Sequence, residues 1–426
     1  MAISDDFVYC CLLLVSIAFG GVVKQTNGPR KRQLLCGGVG ILLIVTTSQY
    51  HLLHSLTTAI VSYIVIVTTG PRYCHVFNFA WCFTYLTFFR TTHYFGLPVS
   101  PPLANAVQLL LTLRMIGISF EIHDTHHMPE KIAGMVKGSL ELRKKYKGVT
   151  LSFFDFMMYA YCYAGLLTGP YYKYRTYYDF IHQSDPEKIP TYELMLQKIK
   201  VVPVIAGLFL FFSYFFNIEY PTTAKFFEEP FWFRLFYMVP MFIIFRCRMY
   251  TAWVLAEAMC ITCALGAYPK TSKPRCGQGP TDLQALEDSE KSGGPVDYDF
   301  ETVHNLDIYG CDLAPTTKEG LKSWNMTVQY WLAAFTYSRV PGALKPYRVA
   351  ITMAVSAVWH GIHPGYYLSF LTVPLILMAE EGMIKLLRHK NPDLFDWAFK
   401  KRSTIARMLN NGRGMELPKL LIELEE

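Results

Sequence analysis

Apolar residues in this chain fall in long blocks, and the polar residues collect between them. Residues 7–23, 34–47, 52–69, 76–89 and 103–120 form a first series of blocks. A second series covers 153–167, 201–216, 235–245, 252–265, 324–335, 349–359 and 366–387. A helix that crosses the hydrocarbon core of a bilayer needs about 20 apolar residues. Several blocks are shorter, which suits tilted or re-entrant helices. The pattern predicts an all-α, polytopic integral membrane bundle of about ten to twelve transmembrane helices.

The polar stretches set the boundaries. Residues 121–150 read as a connection rich in His, Lys and Arg, and 269–297 as a flexible loop of Gly, Pro, Ser and charged residues. A membrane domain over 1–387 is followed by a polar tail over 388–426, with a weak amphipathic end at 417–424. No soluble segment is large enough to fold alone, so the bundle is the protein.

Composition agrees: 426 residues, 52% hydrophobic, 17% charged, mean hydropathy +0.22. An ordinary soluble domain carries about 25% charged residues. The net charge of +7 is no nucleic-acid signature, because the basic residues sit in short loops. These are Lys24 to Arg32, Arg143 to Lys147, Lys173 with Arg175, and Arg246 with Arg248. Such loops favour the cytosolic face and anionic head groups. Asp5 and Asp6 precede the first block and Arg30, Lys31 and Arg32 follow it, which predicts a lumenal N-terminus. That first block lacks a basic leader and a small-residue cleavage site and reads as a retained span. The eleven cysteines are scattered through apolar runs and form no disulfide framework. Cys260-Ile261-Thr262-Cys263 is formally CxxC, but it has no second pair and reads as buried apolar side chains.

Candidate chemistry comes from polar groups inside apolar blocks. Trp359-His360-Gly361-Ile362-His363-Pro364-Gly365 puts two histidines at membrane depth, and Trp324-Asn325-Met326-Thr327-Val328-Gln329-Tyr330-Trp331 does the same with an amide. Ionisable groups there are costly and by default suggest function. A neutral imidazole at His360 can act as a general base for a hydroxyl. The competing reading is a histidine that only joins helices. Asn325 can hold a thioester carbonyl or stabilise its developing oxyanion. It also fits a glycosylation sequon and a helix-packing amide, and its apolar flanks place it in a helix beyond the glycosylation machinery. His363 either orients His360 or lines the lumenal mouth, since Pro364-Gly365 is expected to end the helix.

A metal reading competes. His51/His54, His123/His126/His127 and His360/His363 are three histidine clusters, like those of di-iron lipid oxidases. Those enzymes carry about eight clustered histidines, and here only one cluster has a doubled histidine. There is no GxSxG elbow, P-loop, dinucleotide fingerprint or HEXXH motif, so no serine or cysteine nucleophile is suggested.

With these residues identified, the chain resembles the membrane-bound O-acyltransferase family, and most of all its lysophosphatidylinositol acyltransferase branch. The family signature is a WHG histidine preceded by an asparagine in an earlier helix, which His360 and Asn325 match. Residues 105–113, 168–177, 234–257, 324–333 and 359–374 carry the resemblance. It implies a substrate tunnel, acyl-CoA as co-substrate, a lysophospholipid acceptor and an endoplasmic reticulum membrane. The free sn-2 hydroxyl would attack the thioester, with arachidonoyl-type donors favoured and phosphatidylinositol remodelled. It implies no metal, no cofactor and no covalent acyl-enzyme. Lys173, Arg175, Arg246 and Arg248 are candidates for the anionic substrate groups, with Trp359 and His363 beside them. Family members usually carry further membrane helices after the WHG region, which the 388–426 pattern lacks. The alternatives are a catalytically silent membrane form and an acyltransferase for another acceptor, such as a sterol, diacylglycerol or a secreted protein.

Overall fold

The computed structural model describes residues 5–127, 151–292 and 296–395. The architecture is all-α apart from a two-residue antiparallel pairing of β1 (Tyr268–Pro269) with β2 (Tyr298–Asp299). Helix α1 (Asp5–Gln25) and helix α9 (Phe231–Thr262) run side by side in the same direction. Asp6 pairs with Arg248 at 2.5 Å near one end, and a Cβ on Gly20 would strike Thr262 near the other. From Asp6 to Lys24 the helix rises about 27 Å, close to a hydrocarbon thickness.

The next passes come from a chain that doubles back twice. Helix α2 (Pro29–Ser48) and the first arm of α3 (Leu52–Arg90) both pack on α5 (Phe153–Ala160). Gln33 binds Asp155 and Tyr63 meets Phe156, whereas Gly40 and Ser55 both meet Tyr161, so the chain reverses at 49–51. Within α3 it reverses again at Gly70 (φ 66°), followed by Pro71. His54 then bonds Tyr85 at 2.9 Å and the Trp81 indole reaches the Thr58 carbonyl. Glycine takes this positive φ without a Cβ penalty. Five apolar stretches are long enough to cross a membrane among the described residues, and the one over residues 29–90 makes three passes.

Helix α4 (Pro102–His127) is the axis of the bundle, continuously buried from Leu110 to Phe120. Its Arg114 explains how backbone without helical bonding exists at this depth. The expected helix over 153–167 stops at Ala160, and 161–173 is irregular. Arg114 donates to the carbonyls of Tyr159, Ala160, Cys162 and Ala164 at 2.7–3.3 Å and to the Tyr172 hydroxyl at 2.8 Å. Irregular backbone in a membrane survives only where protein satisfies its polar groups.

Other expectations change. The blocks 235–245 and 252–265 lie largely on the single helix α9. The stretch 269–297 is not simply a flexible loop: it starts on Pro269 of β1 and carries an isolated bridge between Arg275 and Gly279 and a helix, Leu283–Ser292, with 293–295 outside the described residues. Of the connection 121–150, α4 continues through His127, while 128–150 lies outside the described residues. The last described long helix, α12 (Pro364–Lys390), ends as the apolar pattern does, and the tail from 396 lies outside them.

Candidate active site

The two signature segments pack against α4 as an antiparallel pair. Helix α10 (Met326–Phe335) runs along it in the same direction. The Trp331 indole donates to the Leu113 carbonyl at 3.1 Å, Phe335 stacks on Phe120 with centroids 4.9 Å apart, and Arg339 forks onto Asp124 at 2.6 and 2.9 Å. Helix α11 (Arg348–His360) returns. Its first residue, Arg348, lies over the Tyr337 ring at 4.5 Å, and near its end the Trp359 indole donates to the Leu109 carbonyl at 3.2 Å. The start of α10 and the end of α11, hence Asn325 and His360, are therefore turned towards the same end of α4.

His360 is the last residue of α11. Its ring stacks on Phe370 at 4.8 Å and on Tyr366 at 5.9 Å, and meets the Trp359 ring edge-on at 4.7 Å. Gly361 is required by space: a Cβ there would strike the Tyr366 ring. Two carbonyls at the helix end, Val358 and Trp359, accept from Arg90 at 2.8 and 2.6 Å, and Arg90 Nε donates to Asn105 at 3.1 Å.

Asn325 is not inside the helix, as its apolar flanks suggested. It precedes α10 in the left-handed region (φ 48°, ψ 52°), which Asn tolerates better than most residues, and its side chain caps nothing. A lattice beneath it fixes this conformation. Glu257, 1% exposed, accepts the Asn305 and Leu306 N–H groups at 2.8 and 2.9 Å and pairs with Lys198 at 2.6 Å. The Asn305 carbonyl accepts the Met326 N–H at 2.8 Å, and its side-chain oxygen accepts from the Thr327 hydroxyl at 2.5 Å. The Tyr171 N–H donates to that same hydroxyl at 3.0 Å.

The remaining candidates separate. Lys173 lies over Tyr330, 5.3 Å from the ring centroid, and so beside α10. Arg175 pairs with Asp179 at 2.7 Å, and Glu121 caps the N–H groups of Tyr174 and Arg175 at the start of α6 (Tyr174–His182). This is the Lys24 and Arg32 end of the bundle: Lys24 bonds the Ile189 carbonyl, and Arg32 those of Phe180 and Ile181. Arg246 and Arg248 do not join them. They pair with Asp312 and Asp6 towards the opposite end of α1 and cannot share one entrance with Lys173. Trp359 is buried, and its indole N–H is bonded to α4. His363 is exposed and precedes α12, on a different helix from His360.

Arg90, Glu257 and Asn305 were missed. A lone glutamate inside the 252–265 block and a lone arginine at the edge of the 76–89 block were the available signals for the first two; nothing in the pattern marks Asn305. The His51/His54 and His123/His126/His127 clusters are not brought together. His123 bonds the Pro71 carbonyl and His54 pairs with Tyr85, about 21 Å apart along the second arm of α3. Cys276, Glu301 and His304 gather three donor types within 4.8 Å. They are occupied by one another: Cys276 donates to Glu301 at 2.9 Å, and both His304 nitrogens face oxygens, Glu301 at 2.9 Å and the Leu306 carbonyl at 3.0 Å. Burial pushes the Glu301 carboxyl up, but the hydrogen bond and charge of His304 carry it below its ordinary value. Burial and Glu301 raise the Cys276 thiol. A cavity of about 700 Å³ between α1, α9 and α7 (Tyr192–Ile199) includes neither His360 nor Asn325.

Comparison with known proteins places the sequence in a family. Residues 99–400 match the model of the membrane-bound O-acyltransferase family, MBOAT. The chain is 42% identical over 401 residues to the membrane-bound acylglycerophosphatidylinositol O-acyltransferase mboat7 of Xenopus laevis, covering 92% of this chain and 83% of that protein. It is 39% identical over 409 residues to the protein of the same name from Homo sapiens (94% and 85%) and 32% identical over 415 residues to the frj acyltransferase of Drosophila melanogaster (93% and 83%). With a family-model match over 99–400 and relatives up to 42% identical along most of its length, the chain belongs to the membrane-bound O-acyltransferase family.

Proposed function

We propose that this protein transfers an acyl chain, polyunsaturated and of the arachidonoyl type, from acyl-CoA to the sn-2 hydroxyl of lysophosphatidylinositol, remodelling phosphatidylinositol in the endoplasmic reticulum membrane. The observation that carries the reading is the anchoring of Trp331 and Trp359 one turn apart on α4, which turns the segments bearing Asn325 and His360 towards the same end of that helix. The acceptor rests on the names of the relatives, which describe acylglycerophosphatidylinositol acyltransferases.

In this mechanism the substrate hydroxyl attacks the thioester carbonyl and His360 removes its proton. Asn325 donates from its side-chain amide to the carbonyl oxygen as negative charge develops. The tetrahedral intermediate collapses, the carbon–sulfur bond breaks, and the CoA thiolate takes the proton back from His360. The products are phosphatidylinositol and free CoA. No covalent acyl-enzyme and no metal take part. A tunnel between the two faces brings the substrates to this pair, with His363 at its lumenal mouth. Lys173, at the Lys24 end with its charge over Tyr330, meets a CoA phosphate. Positive loops at that end favour the cytosolic side for it.

The test is an assay of membranes containing this chain with labelled arachidonoyl-CoA and lysophosphatidylinositol, beside His360→Ala at matched expression. Phosphatidylinositol formed by the first and not by the second supports the reaction and its base. An inserted wild type as silent as the variant sinks the proposal. Product formed with sterol, diacylglycerol or peptide and not with lysophosphatidylinositol sinks the acceptor.

A further inference from the structure

We infer that Arg90 is a positioning residue for the reaction, setting where the His360 imidazole stands by holding the carbonyls of the helix end that carries it. This rests on the reading of His360 as the base.

The argument begins with the end of α11. The last four carbonyls of a helix have no partner within it. Here Gly361 N–H takes the Ala357 carbonyl at 3.0 Å, and Arg90 takes the next two, Val358 and Trp359. A guanidinium presents its donors in a rigid planar fork, so two carbonyls on successive residues are held in one orientation. The fork is itself fixed, because Arg90 Nε donates to Asn105 on α4. Residue 359 is thus pinned at both ends: its carbonyl to Arg90 and its indole to the Leu109 carbonyl, on the same helix as Asn105. The next residue is His360. Any rotation of the last turn would break these bonds together, and its effect would fall first on the imidazole. The cation also faces the negative end of the helix dipole, the favourable sign. An arginine carried in from α3 would not be needed for general stability at a helix end that a short polar turn could cap.

The experiment compares Arg90→Gln, Arg90→Lys and Asn105→Ala with wild type in full-length purified protein, with His360→Ala as control. The measured quantities are kcat and KM for acyl-CoA and for the lysolipid, per monodisperse molecule, and the melting temperature. Misplacing a reacting group by about 1 Å costs on the order of 100-fold. Arg90→Gln is expected to lower kcat about 10–100-fold with each KM within about 2-fold. Arg90→Lys, which keeps the charge and one donor, recovers part of kcat. Asn105→Ala, which frees the fork without touching α11, gives a smaller loss in kcat at an unchanged melting temperature. The proposal is overturned if Arg90→Gln acts on KM alone or keeps full kcat. Should Arg90→Gln not fold, Asn105→Ala decides, and a folded variant with wild-type kcat overturns it. An active His360→Ala removes the base reading instead, whatever the arginine variants show.

Discussion

Trp331 and Trp359 donate their indole N–H groups to carbonyls one turn apart on α4, those of Leu113 and Leu109. The two signature segments are therefore registered against the same short length of one buried helix. Their roles differ. Trp331, fully buried, is expected to act on stability: Trp331→Phe loses a hydrogen bond and leaves a void, costing about 1–3 kcal/mol, read as a lower melting temperature at nearly unchanged kcat. Trp359→Phe frees the residue beside His360, and kcat per folded molecule should fall about tenfold or more. Equal effects of both changes on both readouts would refute the division.

Glu257 holds up the Asn325 side of the site. A glutamine there keeps the shape but turns an amide donor towards donors and leaves Lys198 unpaired. Breaking a buried pair from one side costs about 3–5 kcal/mol. Glu257→Gln, which disturbs the acceptor for the Asn305 and Leu306 N–H groups, and Lys198→Gln, which leaves the 1% exposed carboxylate without its cation, should both be recovered poorly and melt early. The ratio of monodisperse peak to total protein measures both.

Gly361→Ala drives a methyl group into the Tyr366 ring, which stacks on His360. Activity should drop at least about tenfold, because the displaced ring shifts the imidazole. The double change Gly361→Ala with Tyr366→Ala should be more active than Gly361→Ala alone. A double variant no better than the single one would mean the glycine acts otherwise.

Metal removal should leave acyl transfer unchanged. The His54 and His123 clusters lie far apart, and the donors of Cys276, Glu301 and His304 are taken by one another. Dialysis against a strong chelator, followed by elemental analysis and assay, checks this. Activity lost on chelation and restored by zinc or iron would contradict the proposed mechanism.

Much of the architecture was legible because membrane helices advertise themselves by composition, and the WHG histidine does so by being out of place. The pattern failed where three-dimensional bonding replaces helical bonding. Residues 153–167 look apolar enough for a span, but Arg114, distant in sequence, lets the chain from 161 onwards stay irregular. Asn325 looked helical because its neighbours are Trp, Met and Val. Its left-handed backbone depends on Asn305, which no periodicity connects to it. Arg246 and Arg248 looked like Lys173 by charge alone, and only the shared direction of α1 and α9 shows that they belong to the other end.

The Arg114 clamp has a consequence for biogenesis. The arginine lies near the middle of α4 and leaves the ribosome before any of the carbonyls that satisfy it, Tyr159 to Ala164. Released into lipid alone, α4 would carry a central charge costing about 2.5–3.5 kcal/mol on the insertion scale. It should therefore linger beside the insertion channel until residues 159–164 arrive, and then enter the bilayer together with them. The charge that lets the bundle keep an irregular segment also fixes the order in which its parts leave the channel.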